Sequence, residues 1–296
     1  MSIPGEKINV YSGPARPART NAHIGALLVD AGKLTSKEAE RVMQLQREKG
    51  IRFGDAAVKL GLTTRADIDR VLAQQFEFPF LVPGTSSLSG DLVAAYAPFE
   101  HKVEAFRAVR SQLMLRWFNL DIGLKHLAIV SPHRAEGRSY FAANLAVVFS
   151  QLGERTLLID ADMRHPCQHL LFDLENRAGL STLLAGRAEA NVIERIVPLL
   201  NLSILPAGPI APNPQELLGR PLFPQLLDDL AQEYDVIILD TPAGVPHADA
   251  QTIAARAGGA FLIARLHHTP VAATKSFSNR LTSTGAVVVG AVVNTA

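Results

Sequence analysis

Cysteine is almost missing from this sequence. Cys167 stands alone among 296 residues, which excludes an intramolecular disulfide and fits a reducing compartment. Long apolar runs are also missing. None approaches the ~20 residues that a membrane-crossing helix needs, and the first residues lack the continuous apolar core of a signal peptide. Neither sign of charge dominates. With 29 Lys and Arg against 28 Asp and Glu, the net charge of +1 offers no general attraction to nucleic acid or acidic lipid. Tyrosine is scarce, at Tyr11, Tyr96, Tyr140 and Tyr234. What the chain does have is apolar content. At 48% it can bury a full core, and its length predicts two domains at roughly 150 residues each.

Residues 1–21, rich in Pro, Gly, Ser and Arg, read as a flexible arm. Residues 22–80 read as a small all-helical domain, and turn-rich 81–99 as a linker. From 100 to 296, strand-like runs at 126–131, 155–160, 202–206, 235–240, 260–265 and 286–293 alternate with helical patterns at 138–152, 214–233, 247–257 and 270–283. Most of the strand runs are apolar throughout, as in strands covered on both faces. The pattern predicts a doubly wound α/β domain with a mostly parallel sheet.

The small domain repeats itself. His23 to Gln46 and Arg52 to Gln75 are blocks of 24 residues, five apart. Each has a basic residue first, glycine third and tenth, and glutamine last: His23, Gly25, Gly32, Gln46, then Arg52, Gly54, Gly61, Gln75. Fixed-period self-similarity implies two copies of one supersecondary unit. The tenth-position glycines suit a positive φ after a short helix. Thr35 with Glu38 and Thr64 with Asp67 resemble capping boxes. The arrangement resembles the N-terminal domain of type II secretion and pilus ATPases, the MshEN class. That resemblance implies cyclic di-GMP binding by the residues named, with Leu28 at an apolar position of the motif. The residues alone leave a second reading open, in which the glycines are structural and the hairpins dock a protein partner.

The larger domain carries three elements of nucleotide chemistry. Ser131-Pro-His-Arg-Ala-Glu-Gly-Arg-Ser139 joins a strand-like run to a helix-like run. That is the setting of a phosphate loop, where backbone N–H groups and a helix dipole meet anionic oxygens. The plain GxxxxGK[ST] pattern fails twice: its first glycine is missing, and Arg138 replaces the lysine. The second element, Leu157-Leu-Ile-Asp-Ala-Asp-Met-Arg164, ends a strand in two carboxylates. The third, Val236-Ile-Ile-Leu-Asp240, ends one in a single carboxylate. Convergent Asp160, Asp162 and Asp240 suit magnesium, which prefers oxygen ligands.

Together these elements resemble the bacterial tyrosine kinases of capsular and exopolysaccharide systems, of the EpsG chain-length-determinant type. The resemblance runs from about 100 to 294. It includes Asn144-Leu-Ala146, Gly208 with Pro212-Asn-Pro-Gln-Glu-Leu-Leu218, and Glu104, Arg107 and Arg110 as an ExxRxxR element. It implies a P-loop NTPase fold, ATP and Mg2+. Ser131, Glu136, Gly137, Arg138, Ser139 and Tyr140 would surround the nucleotide, and Ser139, Asp162 and Asp240 the metal. Asp160 would accept the tyrosine proton, with Asp162 and Arg138 also catalytic. The resemblance further implies self-association through ExxRxxR and a membrane-anchored chain-length determinant as partner. The chain would then sit in the cytoplasm, at the inner face of the membrane through that partner only, with no nucleic acid bound.

Arginine presents a broader fork than lysine's compact ammonium. Reduced turnover is therefore expected, with Arg138→Lys raising it. Tyr11 is the expected phosphoacceptor. A second function of different class is an ATP-dependent scaffold with little phosphate transfer. A third, a positioning ATPase of the ParA or MinD type, is disfavoured because His133 stands where those carry their signature lysine.

Overall fold

The computed structural model describes residues 23–65, 67, 68, 70, 71, 79–118, 124–188, 190–197 and 199–295. Tyr11, Gln75 and the arm lie outside them. The chain divides into two compact units, 1–77 and 78–296.

In the first unit, α1 (Ile24–Asp30), α2 (Ser36–Lys49) and α3 (Phe53–Lys59) follow one another. The repeat is visible in the backbone. Gly32 and Gly61 share a φ of 67°, each ending a seven-residue helix. Behind them, the Lys33 N–H reaches the Leu28 carbonyl and the Leu62 N–H reaches that of Ala57. Thr35 and Glu38 form a full capping box at the start of α2. Thr64 and Asp67 exchange the equivalent bonds. Leu28, Leu34, Val42, Ala56, Ala57 and Ile68 make the small core.

One side chain joins the two copies. Asp67 receives the Lys33 ammonium at 2.8 Å. That bond and the Thr64 hydroxyl lower its carboxyl pKa to about 2. A depressed carboxylate stabilises the fold above its unfolded pKa near 3.8, and the gain is lost as pH falls through about 2. Asp67→Ala is therefore expected to weaken this unit by about 1 kcal/mol at pH 7. Amide hydrogen exchange of residues 36–71 in the full chain checks this. The difference from the parent should shrink as pH falls from about 4 through 2.

The second unit is built on a seven-stranded sheet: β1 (His126–Val130), β2 (Thr156–Asp160), β3 (Glu194–Arg195), β4 (Leu202–Leu205), β5 (Val236–Asp240), β6 (Gly259–Arg265) and β7 (Val287–Asn294). Their order is β3-β4-β2-β5-β1-β6-β7, and every pairing is parallel except the short β3–β4 ribbon. The all-apolar strand runs have the reason expected of them. In β1, Leu127 and Ile129 enter the core on one face of the sheet, while Ala128 and Val130 enter the core on the other. One cover is α4 (His101–Leu113), continued by a π-helical turn, Met114–Phe118, together with α5 (Arg138–Gln151). Residues 141–150 of α5 are all buried, so it has no polar face. Trp117 is buried, and its indole N–H donates to the His126 carbonyl at 2.9 Å. On the other face lie α6 (Leu222–Glu233), α7 (Asp249–Ala257) and α8 (Val271–Ser283).

Three details differ from the sequence reading. β3 was not anticipated, because two exposed residues carry no apolar signal. The helical pattern 214–233 is two helices, Pro214–Gly219 and α6, separated at Arg220 and Pro221. Residues 81–99, expected as a linker, are packed: Leu81, Leu92, Ala94 and Ala95 are buried in the second unit. Turn-rich composition signals short elements, and a single buried face of a one-turn helix such as Val93–Tyr96 is too brief to give a period.

Candidate active site

The carboxyl ends of β1, β2 and β5 meet where chain order reverses across the sheet, the usual place for a ligand in an α/β fold. The loop after β1 turns into α5 through Gly137, whose φ of 94° suits glycine. Ala135 holds a φ of 58° without being glycine, a conformation that costs an L-residue roughly 1 kcal/mol. Ala135→Gly is expected to raise stability by about 0.5–1 kcal/mol. Urea denaturation of the full chain would measure it.

β2 and β5 pair with Asp160 beside Asp240. Both carboxylates are fully buried. Desolvation, and then the charge of Asp240, raise the Asp160 pKa well above the usual range. Desolvation likewise raises that of Asp240 to about 6, against the Ser139 hydroxyl and the Gln168 amide. Asp160 is tied to backbone: Oδ2 accepts from Cys167 and Gln168 at 2.9 Å, and Oδ1 from Asp162 at 3.2 Å. Asp240 Oδ2 accepts from Gln168 Nε2 at 2.7 Å, but its buried Oδ1 has no hydrogen-bond partner. An orphaned anionic oxygen beside a serine hydroxyl, with Asp162 nearby, is a donor set that fits magnesium.

A cleft of about 220 Å³ lies over this floor. Arg134, Arg138, Ser139, Asp162, Arg164 and His165 are among its lining residues. Asp162 is thus the carboxylate that faces the cleft, its Oδ1 fixed by the Arg164 and His165 N–H groups at 3.1 and 2.9 Å. Asp160, expected as proton acceptor, lies beneath the cleft with both oxygens taken. Arg164 is not a free cation, because it pairs with buried Asp249 at 2.5 Å.

Arg138 is buried and turned into its own loop. Nε donates to the Thr241 carbonyl at 2.8 Å, and Nη1 donates to the His133 carbonyl at 2.6 Å and to the Ser131 hydroxyl. Glu136, expected against the nucleotide, points inwards. Its carboxylate accepts from the His133 N–H at 2.8 Å and from the Thr269 hydroxyl. Behind the loop, Arg265 donates to the Ala135 carbonyl at 3.1 Å and Asn294 to that of Glu136 at 3.2 Å. Tyr140 packs against Phe106, with ring centroids 6.1 Å apart, and does not line the cleft. Burial pushes the Cys167 thiol up to about 12.

Gln168 was not anticipated. It is fully buried and links Asp240 to the Ser139 carbonyl. A lone glutamine after a turn gives no sequence signal. Arg134, also missed, is the exposed cation of the loop.

In the ExxRxxR element, Glu104 is exposed and pairs with Arg107, while Arg110 Nη1 donates inwards to the Val148 carbonyl at 2.8 Å. In the first unit, His23, Gly25 and Gln46 share a cleft of about 710 Å³ with Val29, Met43 and Phe53. Arg52, Gly54 and Gly61 do not line it, and Gly54 is buried beneath Ile68.

No protein-family model matches the chain. It is 37% identical over 191 residues to CapB of Staphylococcus aureus, assigned as a tyrosine-protein kinase, covering 64% of this chain and 83% of CapB. Tyrosine-protein kinase YwqD of Bacillus subtilis is 33% identical over 209 residues, covering 71% of this chain and 87% of that one. Among solved structures, the kinase domain of the Escherichia coli tyrosine kinase ETK superposes with a TM-score of 0.66. It is 32% identical, over 69% of this chain and 79% of that domain.

Proposed function

Since the chain belongs to the bacterial tyrosine-protein kinases, with their P-loop fold, we propose that it transfers the terminal phosphate of Mg-ATP to tyrosine hydroxyls in an exopolysaccharide or capsule export system. One observation carries the reading. Asp160, Asp240 and Asp162 converge with the Ser139 hydroxyl at the N-terminus of a buried helix, around a cleft sized for phosphates.

The phosphates lie at the start of α5, where the helix dipole favours anions. Ser139 and Asp240, with Asp162, would hold magnesium, which when bound neutralises charge developing on the phosphates. Gln168 fixes the Asp240 carboxylate from the side away from its free oxygen. Asp162 accepts the proton of the incoming tyrosine hydroxyl, since it is the carboxylate lining the cleft. Asp160 orders the turn that presents Asp162, through three backbone N–H groups. Transfer of this kind is mostly positioning and charge stabilisation. Tyr11 is the proposed acceptor within this chain.

The partner is a membrane-anchored chain-length determinant, and the chain works at the inner face of the membrane through it. No helix among the described residues is long and apolar enough to cross a bilayer. Self-association through ExxRxxR would present exposed Glu104 to a neighbouring copy, because Arg110 is held within its own subunit. Cyclic di-GMP is the proposed ligand of the first unit, supported by His23, Gly25 and Gln46 in one cleft.

The test incubates the full chain with Mg-ATP and a tyrosine-containing copolymer and reads phosphotyrosine. Absence of phosphotyrosine with the partner's cytoplasmic segment present would overturn the kinase reading. The scaffold reading is favoured by the internal tethering of Arg138, and it predicts a change of molecular size with Mg-ATP without transfer. Unchanged size would overturn it.

A further inference from the structure

The pose of Arg138 divides its guanidinium nitrogens between two tasks. Nε and Nη1 are engaged with three oxygens from two separate segments: Ser131 and His133 in the loop after β1, and Thr241 after β5. The third nitrogen, Nη2, makes no hydrogen bond among the described residues, and Arg138 lines the phosphate cleft. We propose that Arg138 braces the loop to the end of β5 through Nε and Nη1 while offering Nη2 to the terminal phosphate, so that this loop depends on arginine rather than tolerating it.

The chemistry follows from the fork. A guanidinium is planar and carries N–H donors on three nitrogens, so two of them can close a carbonyl–hydroxyl–carbonyl cage while the third presents an N–H outwards. Lysine has one compact nitrogen. At this position it can approach the loop oxygens or a phosphate, but it cannot replace Nε on the Thr241 carbonyl while doing either. The bridge has consequences for the site, because Thr241 directly follows Asp240 and its hydroxyl is bonded to the Ile129 carbonyl at 2.8 Å. Loss of the brace removes the side-chain tie between the loop and the end of β5, leaving the backbone bonds from the Gly244 and Val245 N–H groups to the Ser131 and Pro132 carbonyls. The sequence-based expectation that lysine at 138 raises turnover is reversed on this geometry.

The inference rests on the nucleotide reading above, and two measurements on Arg138→Lys in the full chain separate them. The first uses no nucleotide. Amide exchange across residues 131–138 is expected to accelerate at least tenfold. The second is titration with Mg-ATP and Mg-ADP. Affinity for ATP should fall at least tenfold and the ATP:ADP preference should collapse towards one, a selective loss that a purely structural role would not produce. Arg138→Lys binding Mg-ATP as tightly as the parent, or transferring phosphate faster, would overturn the proposal, as would unchanged exchange. If the parent itself binds no adenine nucleotide, the nucleotide reading and the phosphate-facing half fall, and exchange alone scores the brace.

Discussion

Asp162→Asn is expected to lower phosphate transfer to tyrosine by about 10²–10⁴-fold, the usual worth of a positioned general base. Asparagine has the shape of aspartate, and its carbonyl oxygen can still accept from the Arg164 and His165 N–H groups that fix Oδ1. The turn should therefore survive while the proton acceptor is lost. Phosphotyrosine formed per minute, with Mg-ATP affinity measured alongside, separates the two roles given to this carboxylate. A large fall in rate with affinity changed less than tenfold marks the proton acceptor. An equal fall in both marks a metal ligand. Transfer at the parental rate would remove Asp162 from the mechanism. Asp160→Asn makes a poor substitute for this test, because that carboxylate is enclosed by backbone donors and its loss disturbs the turn itself.

Gly179→Ala should cost about 3 kcal/mol or more, at the upper end for overpacking. A Cβ there would stand 2.1 Å from the Pro206 carbonyl oxygen and 2.5 Å from the Gly208 nitrogen. These are backbone atoms and cannot swing aside. The same segments are tied by Leu180 N–H to Pro206 O and Ser181 N–H to Ala207 O, both at 2.8 Å. Asn176 closes the junction by accepting from the Gly208 N–H and donating to the Gly208 carbonyl. Urea denaturation followed by fluorescence of Trp117, the single tryptophan, reports on this unit. Gly153→Ala is the control. Its φ of 102° is costly for alanine but the space around it is open, so a loss of roughly 1 kcal/mol is expected. A Gly179→Ala loss no greater than the control's would show that the junction can open without cost.

The parts legible in the sequence were those with a repeating or additive signal. Six apolar runs became strands, and in β1, β2 and β5 burial on both faces confines the polar residues to the strand ends, at His126, Thr156, Asp160 and Asp240. The paired glycines of the small unit were readable because each ends the same helix at the same φ. Capping boxes were readable because donor and acceptor are three residues apart in sequence. The site was legible as a set of residues but not as an arrangement. That Asp162 faces the cleft and Asp160 does not depends on the turn after β2, which two alternating aspartates do not specify. The inward turn of Glu136 depends on Thr269, 133 residues away. Arg138 reads as a phosphate cation by position, yet three nearby oxygens decide where its fork goes, and one of them follows a different strand. The second repeat keeps the spacing of the first, but Ile68 covers Gly54 while Phe53 packs on Gly25 at the wall of the cleft.

The bend at Gly137 sets a limit on variation. Its φ of 94° excludes most side chains, and an added methyl would displace the Asn294 amide from the space above it, breaking the contact with the Glu136 carbonyl. Codon randomisation at 137, sorted for folded nucleotide-retaining protein, should return glycine alone. The same screen at 135, where alanine already endures a left-handed backbone, should admit glycine, asparagine and aspartate beside it. Two positions with the same sign of φ would then differ in tolerance because a terminal strand leans on only one of them.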